Sequence, residues 1–175
     1  MKYLFLYTLV FSLIIAENSH YVVVLGIAQD GGYPQAGCIK SCCSRLWNND
    51  DDSQMVASIG LVSESKKSWM IDATPDFPRQ YHILKEKHQT SIKGIFLTHA
   101  HMGHYSGLLN LGREAIGEKR MDTFVMSRMK SFLEENAPWN QLIELENIVL
   151  KKISPDKEIQ LDKNLIIEPI LVPHR

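Results

Sequence analysis

The feature that most constrains the fold of this chain is a short apolar segment that runs directly into a cluster of histidines. The segment IKGIFL, residues 92–97, has the length and apolar content of a buried strand. THAHMGHYSGL follows at once and places His99, His101 and His104 within six positions. Side chains held at the end of a strand have defined directions, so the cluster is predicted to aim its imidazoles at a common region.

This cluster has the composition of a metal site. Zinc binds imidazole nitrogen, and catalytic zinc sites commonly combine three protein ligands with a water molecule. Residues i and i+2 face one point and residue i+5 turns back toward a neighbouring point, so the spacing suits one or two ions. His174, in VPHR near the end of the chain, is a candidate ligand from a distant segment. The alternative is that the three histidines only cap a loop, but three in six positions after a strand favour the metal site.

The remaining pattern predicts an α/β protein. Strands are predicted at 21–26, 58–63, 68–72, 92–97, 122–127 and 147–153, and helices at 74–88, 106–117 and 128–138. A final hairpin turns at 162–164, and its last strand is predicted to run toward His174. This order favours an α/β sandwich over a doubly wound nucleotide-binding fold, and the loop after the first strand has neither the dinucleotide nor the P-loop glycine spacing.

Composition limits the partners. The 175 residues fit one domain, and the hydrophobic fraction of 45% is enough for a packed core. The formal net charge is −1, with both signs interspersed, so the chain lacks the basic surface that nucleic-acid binding requires. We therefore expect a small-molecule substrate and no nucleic-acid partner, while the oligomeric state is left open.

The N-terminus has the pattern of a secretory signal peptide. Lys2 precedes an apolar stretch from Tyr3 to Ile15, and Ala16 is followed by polar residues. A bilayer span needs about 20 apolar residues, so a stable membrane span is not expected, although an uncleaved anchor is the alternative. The prediction is a signal peptide over residues 1–16, a mature domain over 17–175, and a secreted or periplasmic protein.

Three cysteines lie close together in the segment CIKSCC. Cys38, Cys42 and Cys43 are an odd number of thiols in a chain predicted to be exported. Neighbours such as Cys42 and Cys43 rarely pair with each other, because a disulfide geometry is hard to meet across one peptide bond. Either Cys38 pairs with one of the other two and leaves a free thiol, or all three bind a metal.

Three stretches resemble the metallo-β-lactamase superfamily. THAHMGHYSGL resembles the HxHxDH signature of that superfamily, and IDATPDF resembles the strand that precedes it and ends in Asp. The loop AQDGGYPQAGCIKSCC is similar to the N-terminal region of the branch that contains pyrroloquinoline quinone biosynthesis protein B. The resemblance implies an αββα sandwich, C-terminally truncated here, of which residues 17–175 form the N-terminal part.

The resemblance also implies roles for single residues. His99, His101 and His174 would bind the first metal, and His104 would bind a second. Asp72 would serve catalysis by fixing the loops around the metals. Relatives in the resembling branch carry a cysteine-bound structural zinc, which implies that role for the three thiols as an alternative to the disulfide.

One position departs from the signature. Gly103 stands where the superfamily has an acidic residue, so the carboxylate that would bind the second metal and orient the attacking hydroxide is missing from the motif. One zinc site is therefore expected, and a second ion would lack one of its ligands.

Taken together, the sequence predicts an exported hydrolase that uses a histidine-bound zinc to activate water. Two alternatives follow from the same residues. Imidazole ligands also suit iron, so an iron or zinc oxidoreductase acting on a small-molecule precursor is one alternative. The other is a non-catalytic metal-binding domain in which Gly103 marks lost activity.

Overall fold

The computed structural model describes residues 19–48 and 52–173. The predicted signal peptide, part of the acidic run after Trp47, and His174 therefore lie outside the described residues. Within the described ranges, strands and helices alternate along the chain, as the sequence predicts for an α/β protein.

The strands are β1 (Tyr21–Gly26), β2 (Ser58–Val62), β3 (Lys67–Ile71), β4 (Ser91–Phe96), β5 (Met121–Val125), β6 (Ile148–Lys152), β7 (Ile159–Asp162) and β8 (Leu165–Ile167). The α-helices are α1 (Ser41–Ser44), α2 (Phe77–His82), α3 (Ser127–Glu135) and α4 (Trp139–Glu144). A π-helical segment, Ile83–Lys87, extends α2, and short 3-10 helices cover Arg45–Trp47, Met102–His104 and Ser106–Leu111.

Strands β1 to β6 form one sheet in sequence order, and β7 pairs with β8 in a separate hairpin. Neighbours are antiparallel from β1 to β3 and parallel from β3 to β6. Parallel strands end at the same edge of a sheet, so the residues after β3, β4 and β5 lie side by side. Asp72, Thr98 and Met126 all follow these strand ends, so the polar side chains of Asp72 and Thr98 meet at this edge.

The main core lies between this sheet and the helices. Met70 and Ile95 from the central strands pack with Phe77, Leu84 and Leu108, and all five are fully buried. Burial of large apolar side chains is the dominant favourable contribution to folding, so this layer fixes how the loops at the strand ends sit on the sheet.

The opposite face of the sheet has a smaller aromatic group. Phe96 and Phe124 stack with ring centroids 4.2 Å apart, and Trp69 on β3 is buried beside them. On β1 the same face is open, because the side chains of Val22 and Val24 are exposed. None of the helices described here is both long and apolar enough to cross a bilayer.

The six predicted sheet strands occur within two residues of their predicted bounds, whereas several predictions for the helices and the last strand were wrong in detail. The helix predicted at 106–117 is a 3-10 segment that ends at Leu111, and the helix predicted at 128–138 covers Ser127–Glu135. Helix α2 begins at Phe77 instead of near Thr74, because the Thr74 hydroxyl accepts from the Asp76 amide and donates to Gln80. Helix α4 was not predicted, since Pro138 ends one helical pattern and equally precedes the next helix. The final strand ends at Ile167 and does not continue toward His174.

Gly107 allows the closest approach between the histidine segment and the loop after β3. A Cβ atom at this position would lie 2.2 Å from the carbonyl oxygen of Thr74 and 2.7 Å from Cβ of Phe77. The Gly107 amide donates to the carbonyl of Ala73 at 2.9 Å, so the two segments are held together as well as close.

We therefore expect Gly107→Ala to push these segments apart and to lower the free energy of unfolding by about 1–3 kcal/mol, the usual effect of overpacking. Urea denaturation followed by tryptophan fluorescence measures this change. Ser106→Ala, at the adjacent position, is the matched control. An equal effect of the two substitutions would contradict the proposed close packing at Gly107.

Candidate metal centre

Asp72 organises the edge of the sheet at which the predicted site residues meet. It is 5% exposed and lies directly after β3, with a φ of 69°. Its amide donates to the carbonyl of Phe96 at 2.7 Å, which joins the ends of β3 and β4. Its carboxylate accepts from the amide of Thr98 at 2.8 Å and from the Thr98 hydroxyl at 2.8 Å. A buried carboxylate is stable when it accepts hydrogen bonds in this way.

The same carboxylate also sets the orientation of two histidines. His104 Nδ1 lies 2.7 Å from Oδ2 of Asp72, and the Thr98 hydroxyl lies 2.8 Å from Nδ1 of His99. Because the hydroxyl gives its single proton to Asp72, it accepts from the Nδ1–H group of His99. In that tautomer Nε2 of His99 is the ring nitrogen that can bind a metal, an arrangement common among ligating histidines.

The three clustered histidines converge. The ring centroid of His99 lies 4.6 Å from that of His101 and 4.1 Å from that of His104. His101 precedes the short turn Met102–His104, which is closed by a hydrogen bond from the amide of His104 to the carbonyl of His101. The predicted convergence of the cluster is therefore present in the fold.

A fourth group, Asp30, was not predicted from the sequence. It lies in the loop after β1, where its two carboxylate oxygens face different histidines. Oδ2 is 3.3 Å from Nδ1 of His101, and Oδ1 is 3.0 Å from Nε2 of His104. Asp30, His99 and His101 each offer a ligand atom within 4.8 Å of the others. The one available signal was an acidic residue in a glycine-rich loop combined with a missing acid at Gly103.

The charges around His104 favour a cation. The hydrogen bond to Asp72 raises the pKa of His104, partial burial opposes this effect, and the carboxylate of Asp30 adds to it. For Asp30, desolvation acts to raise the pKa, but the hydrogen bond and charge of His104 outweigh it and leave the pKa below its usual value. Two carboxylates thus flank one imidazole, and a positive charge placed among them is stabilised.

This donor set fits a zinc ion by chemistry and by spacing. Two ligands about 2.0–2.1 Å from a tetrahedral zinc lie roughly 3.4 Å apart. The separation of 3.3 Å between Asp30 and His101 is close to that value. His99, His101 and Asp30 are the described residues that would hold the ion, while the predicted contribution of His174 falls outside the described residues and stays a prediction.

His99 also borders open space in which a substrate has room. It lines two adjoining cavities of about 430 and 760 Å³. Both cavities are bordered by Met126, Ile153 and Leu171, so apolar side chains surround the approach to the imidazole. Concave, largely apolar surfaces with a few polar groups are typical of small-molecule sites.

The three cysteines lie together in a separate segment. Cys38 and Cys43 form a disulfide with their Cα atoms 5.9 Å apart, and Cys42 is exposed with its thiol outside the disulfide. All three sulfur atoms lie within 4.8 Å of one another. The structure thus presents the disulfide alternative, and zinc binding by Cys38, Cys42 and Cys43 together stays a prediction for the reduced thiols.

Comparison with known families identifies the C-terminal part of the chain. A family model described as the beta-lactamase superfamily domain matches residues 68–175. This range contains Asp72 and the complete histidine segment, and leaves the loop with Asp30 outside the matched region.

Curated relatives extend the similarity. The chain is 30% identical over 129 residues to coenzyme PQQ synthesis protein B of Xanthomonas campestris pv. campestris (strain B100), which covers 69% of this chain and 42% of the relative. It is 35% identical over 99 residues to the protein of the same name from Klebsiella pneumoniae (strain 342), covering 52% of this chain and 32% of the relative. The chain therefore spans less than half the length of these curated relatives.

Solved structures share the fold. Zn²⁺-bound PqqB from Methylobacterium extorquens superposes with a TM-score of 0.74 at 23% identity, covering 88% of this chain and 56% of that chain. A diphosphatase from the PhnP family gives a TM-score of 0.60 at 22% identity, with 81% and 53% covered. The predicted metallo-β-lactamase-type fold is confirmed by these similarities.

The contacts of Asp72 predict a large effect on stability. Asp72→Ala leaves the hydrogen-bond donors of Thr98 and His104 without their acceptor and places an alanine at positive φ. We therefore expect the free energy of unfolding to fall by at least about 2 kcal/mol. Thr98→Val keeps the backbone hydrogen bond and is expected to cost about 1 kcal/mol. Chemical denaturation of both variants checks this order, and a smaller loss in Asp72→Ala than in Thr98→Val would refute it.

The cysteine segment gives a second prediction. Denatured protein prepared without reductant is expected to show one reactive thiol per chain, from Cys42, because Cys38 and Cys43 are joined. Thiol titration with and without a chelator measures this number. Three reactive thiols that are exposed only after chelation would instead establish the zinc alternative.

Proposed function

This chain belongs to the metallo-β-lactamase superfamily, and from that premise we propose that it is an exported hydrolase of small molecules that works with a histidine-bound zinc. The observation that carries the proposal is the convergence of His99, His101 and Asp30, whose ligand atoms all lie within 4.8 Å of one another. Metal-ligand residues from two distant loops meet there beside an open cavity.

The chemistry follows from the donor set. A zinc ion bound by such residues lowers the pKa of its bound water to about 7 and polarises the bond to be cleaved. His99 and His101 would hold the ion through their ring nitrogens, and His174 is proposed as the third imidazole. Thr98 fixes the ring of His99, and Asp72 fixes the ring of His104. These contacts hold the donors in place before substrate binds.

The substrate class is proposed from the cavities beside His99. Met126, Ile153 and Leu171 form apolar walls, and the polar lining groups include the histidines together with Ser127, Arg128, Ser154 and Glu168. A small molecule with an apolar part and one ester, amide or phosphoryl group suits this division. Export is proposed from the N-terminal sequence pattern of Lys2, the apolar stretch and Ala16.

One observation favours a second candidate function. Two histidines and one carboxylate with open coordination positions are a typical ligand set for non-haem Fe(II) in enzymes that activate oxygen. His99, His101 and Asp30 have this composition, and the curated relatives are named for the synthesis of coenzyme PQQ. An iron-dependent oxidation of a small-molecule precursor is therefore the alternative to hydrolysis.

Metal binding is tested first. We expect His99→Ala and His101→Ala each to weaken zinc binding by at least about 100-fold, because loss even of a residue that only orients a ligand costs 10–100-fold. Isothermal titration of the full chain with Zn²⁺ measures the affinity. His82→Ala, an exposed histidine on α2, is the matched control and is expected to bind like the wild type. Wild-type affinity in both ligand variants would disprove the site.

The reaction is tested on the same preparations. Zinc-loaded protein is expected to hydrolyse members of a panel of aryl esters and phosphodiesters, to lose this activity in chelator, and to regain it with Zn²⁺. Oxygen consumption with Fe²⁺ in the absence of hydrolysis would favour the oxidoreductase. Metal binding with neither activity would favour a non-catalytic binding domain.

A further inference from the structure

We propose that Asp30 supplies, from the loop after β1, the metal-directed carboxylate that the histidine segment lacks at Gly103. The inference rests on the proposed metal site and assigns a ligand to it that the signature itself does not contain. On this proposal the carboxylate that is missing at Gly103 is supplied by residue 30.

The first argument is steric. Gly103 is buried, and a Cβ atom at this position would lie 2.6 Å from Cβ of Asp30 and 2.8 Å from its Cα. Real Cβ atoms essentially never come this close to a neighbour, so no side chain at 103 fits while Asp30 occupies its place. The space that an acidic residue at 103 would need is taken by another acidic residue.

The second argument is the direction of the carboxylate. The two Cβ positions are only 2.6 Å apart, so a carboxylate carried on residue 30 starts beside the place where one carried on residue 103 would start. From there Oδ2 reaches His101 and Oδ1 reaches His104, at 3.3 and 3.0 Å. Asp30 thus connects a histidine predicted for the first metal to the one predicted for the second.

The third argument is that the backbone holds Asp30 in place. The amide of Gly32 donates to the carbonyl of Gln29 at 2.7 Å, which closes the turn that carries Asp30. On either side of the turn, Ala28 pairs with Val56 and Tyr33 pairs with Gln54 in isolated bridges. The backbone position of residue 30 is therefore set independently of its carboxylate, and a ligand whose backbone is fixed beforehand binds with less loss of conformational entropy.

The experiment compares wild-type full-length protein with Asp30→Asn, Gly103→Asp and the double variant Asp30→Gly/Gly103→Asp. Affinity is measured by titration with Zn²⁺, and ligand identity by the visible spectrum of the Co²⁺-substituted protein. Thermal melting without metal reports folding. Asp52→Asn, another exposed loop aspartate, is the matched control.

We expect Asp30→Asn to weaken Zn²⁺ binding by at least about 10–100-fold and to change the Co²⁺ spectrum, with an almost unchanged melting temperature. Gly103→Asp is expected to lower the melting temperature and the affinity together, because the new side chain collides with Asp30. The double variant removes the nearest contact, at 2.6 Å, keeps the one to Cα of residue 30 at 2.8 Å, and returns a carboxylate to the site, so it is expected to melt higher and bind Zn²⁺ more tightly than Gly103→Asp.

The outcomes separate this inference from the proposed function. If the wild type binds Zn²⁺ and Asp30→Asn binds it equally well with the same Co²⁺ spectrum, Asp30 is only an exposed partner of two histidines. The inference then fails together with the iron alternative, which needs this carboxylate, whereas the zinc hydrolase proposal keeps His99, His101 and the proposed His174. If Gly103→Asp by itself binds more tightly than wild type, the two positions do not compete for space and the inference also fails. If the wild type binds no Zn²⁺, the metal site and the inference fail together.

Discussion

The geometry of the candidate site depends on one buried carboxylate, that of Asp72. It accepts hydrogen bonds from Thr98 and His104, and through the Thr98 hydroxyl it also determines which nitrogen of His99 keeps a lone pair. This is possible because β3 and β4 are parallel neighbours whose ends meet at one edge of the sheet. The main core beneath these loops, including Phe77 and Leu108, then fixes the edge itself.

From this buried anchor the site extends outward as an alternating series of acids and imidazoles. His104 lies between Asp72, which is buried, and Asp30, whose side chain is 47% exposed. Both carboxylates contact the imidazole of His104, and they raise its pKa because they stabilise the positively charged ring. A divalent cation carries twice the charge of a protonated imidazole, so it would attract both carboxylates more strongly and would also accept lone pairs from the neighbouring rings. The electrostatics of the protein atoms therefore favour cation binding.

The sequence was sufficient for the parts of the site that are encoded locally. The strand at 92–97 and the three histidines after it lie within residues 92–104, and their convergence follows from the strand end. Asp72 was found by resemblance, and its position after β3 agrees with that role. Asp30 was not found, because its approach to His104 spans 74 positions. That contact depends on the pairing of β1 with β2, which no local pattern specifies.

The same comparison bears on Gly103, the position at which the motif lacks its acidic residue. A sequence motif describes the order of residues along one segment, whereas metal binding depends on where the donor atoms lie in the folded chain. In the folded chain the loop after β1 packs against the histidine turn, and the carboxylate beside position 103 belongs to Asp30. Since the Cβ positions at 30 and 103 cannot both be occupied, an acid at one position excludes an acid at the other. A missing motif residue therefore indicates lost chemistry only where no neighbouring loop supplies an equivalent group.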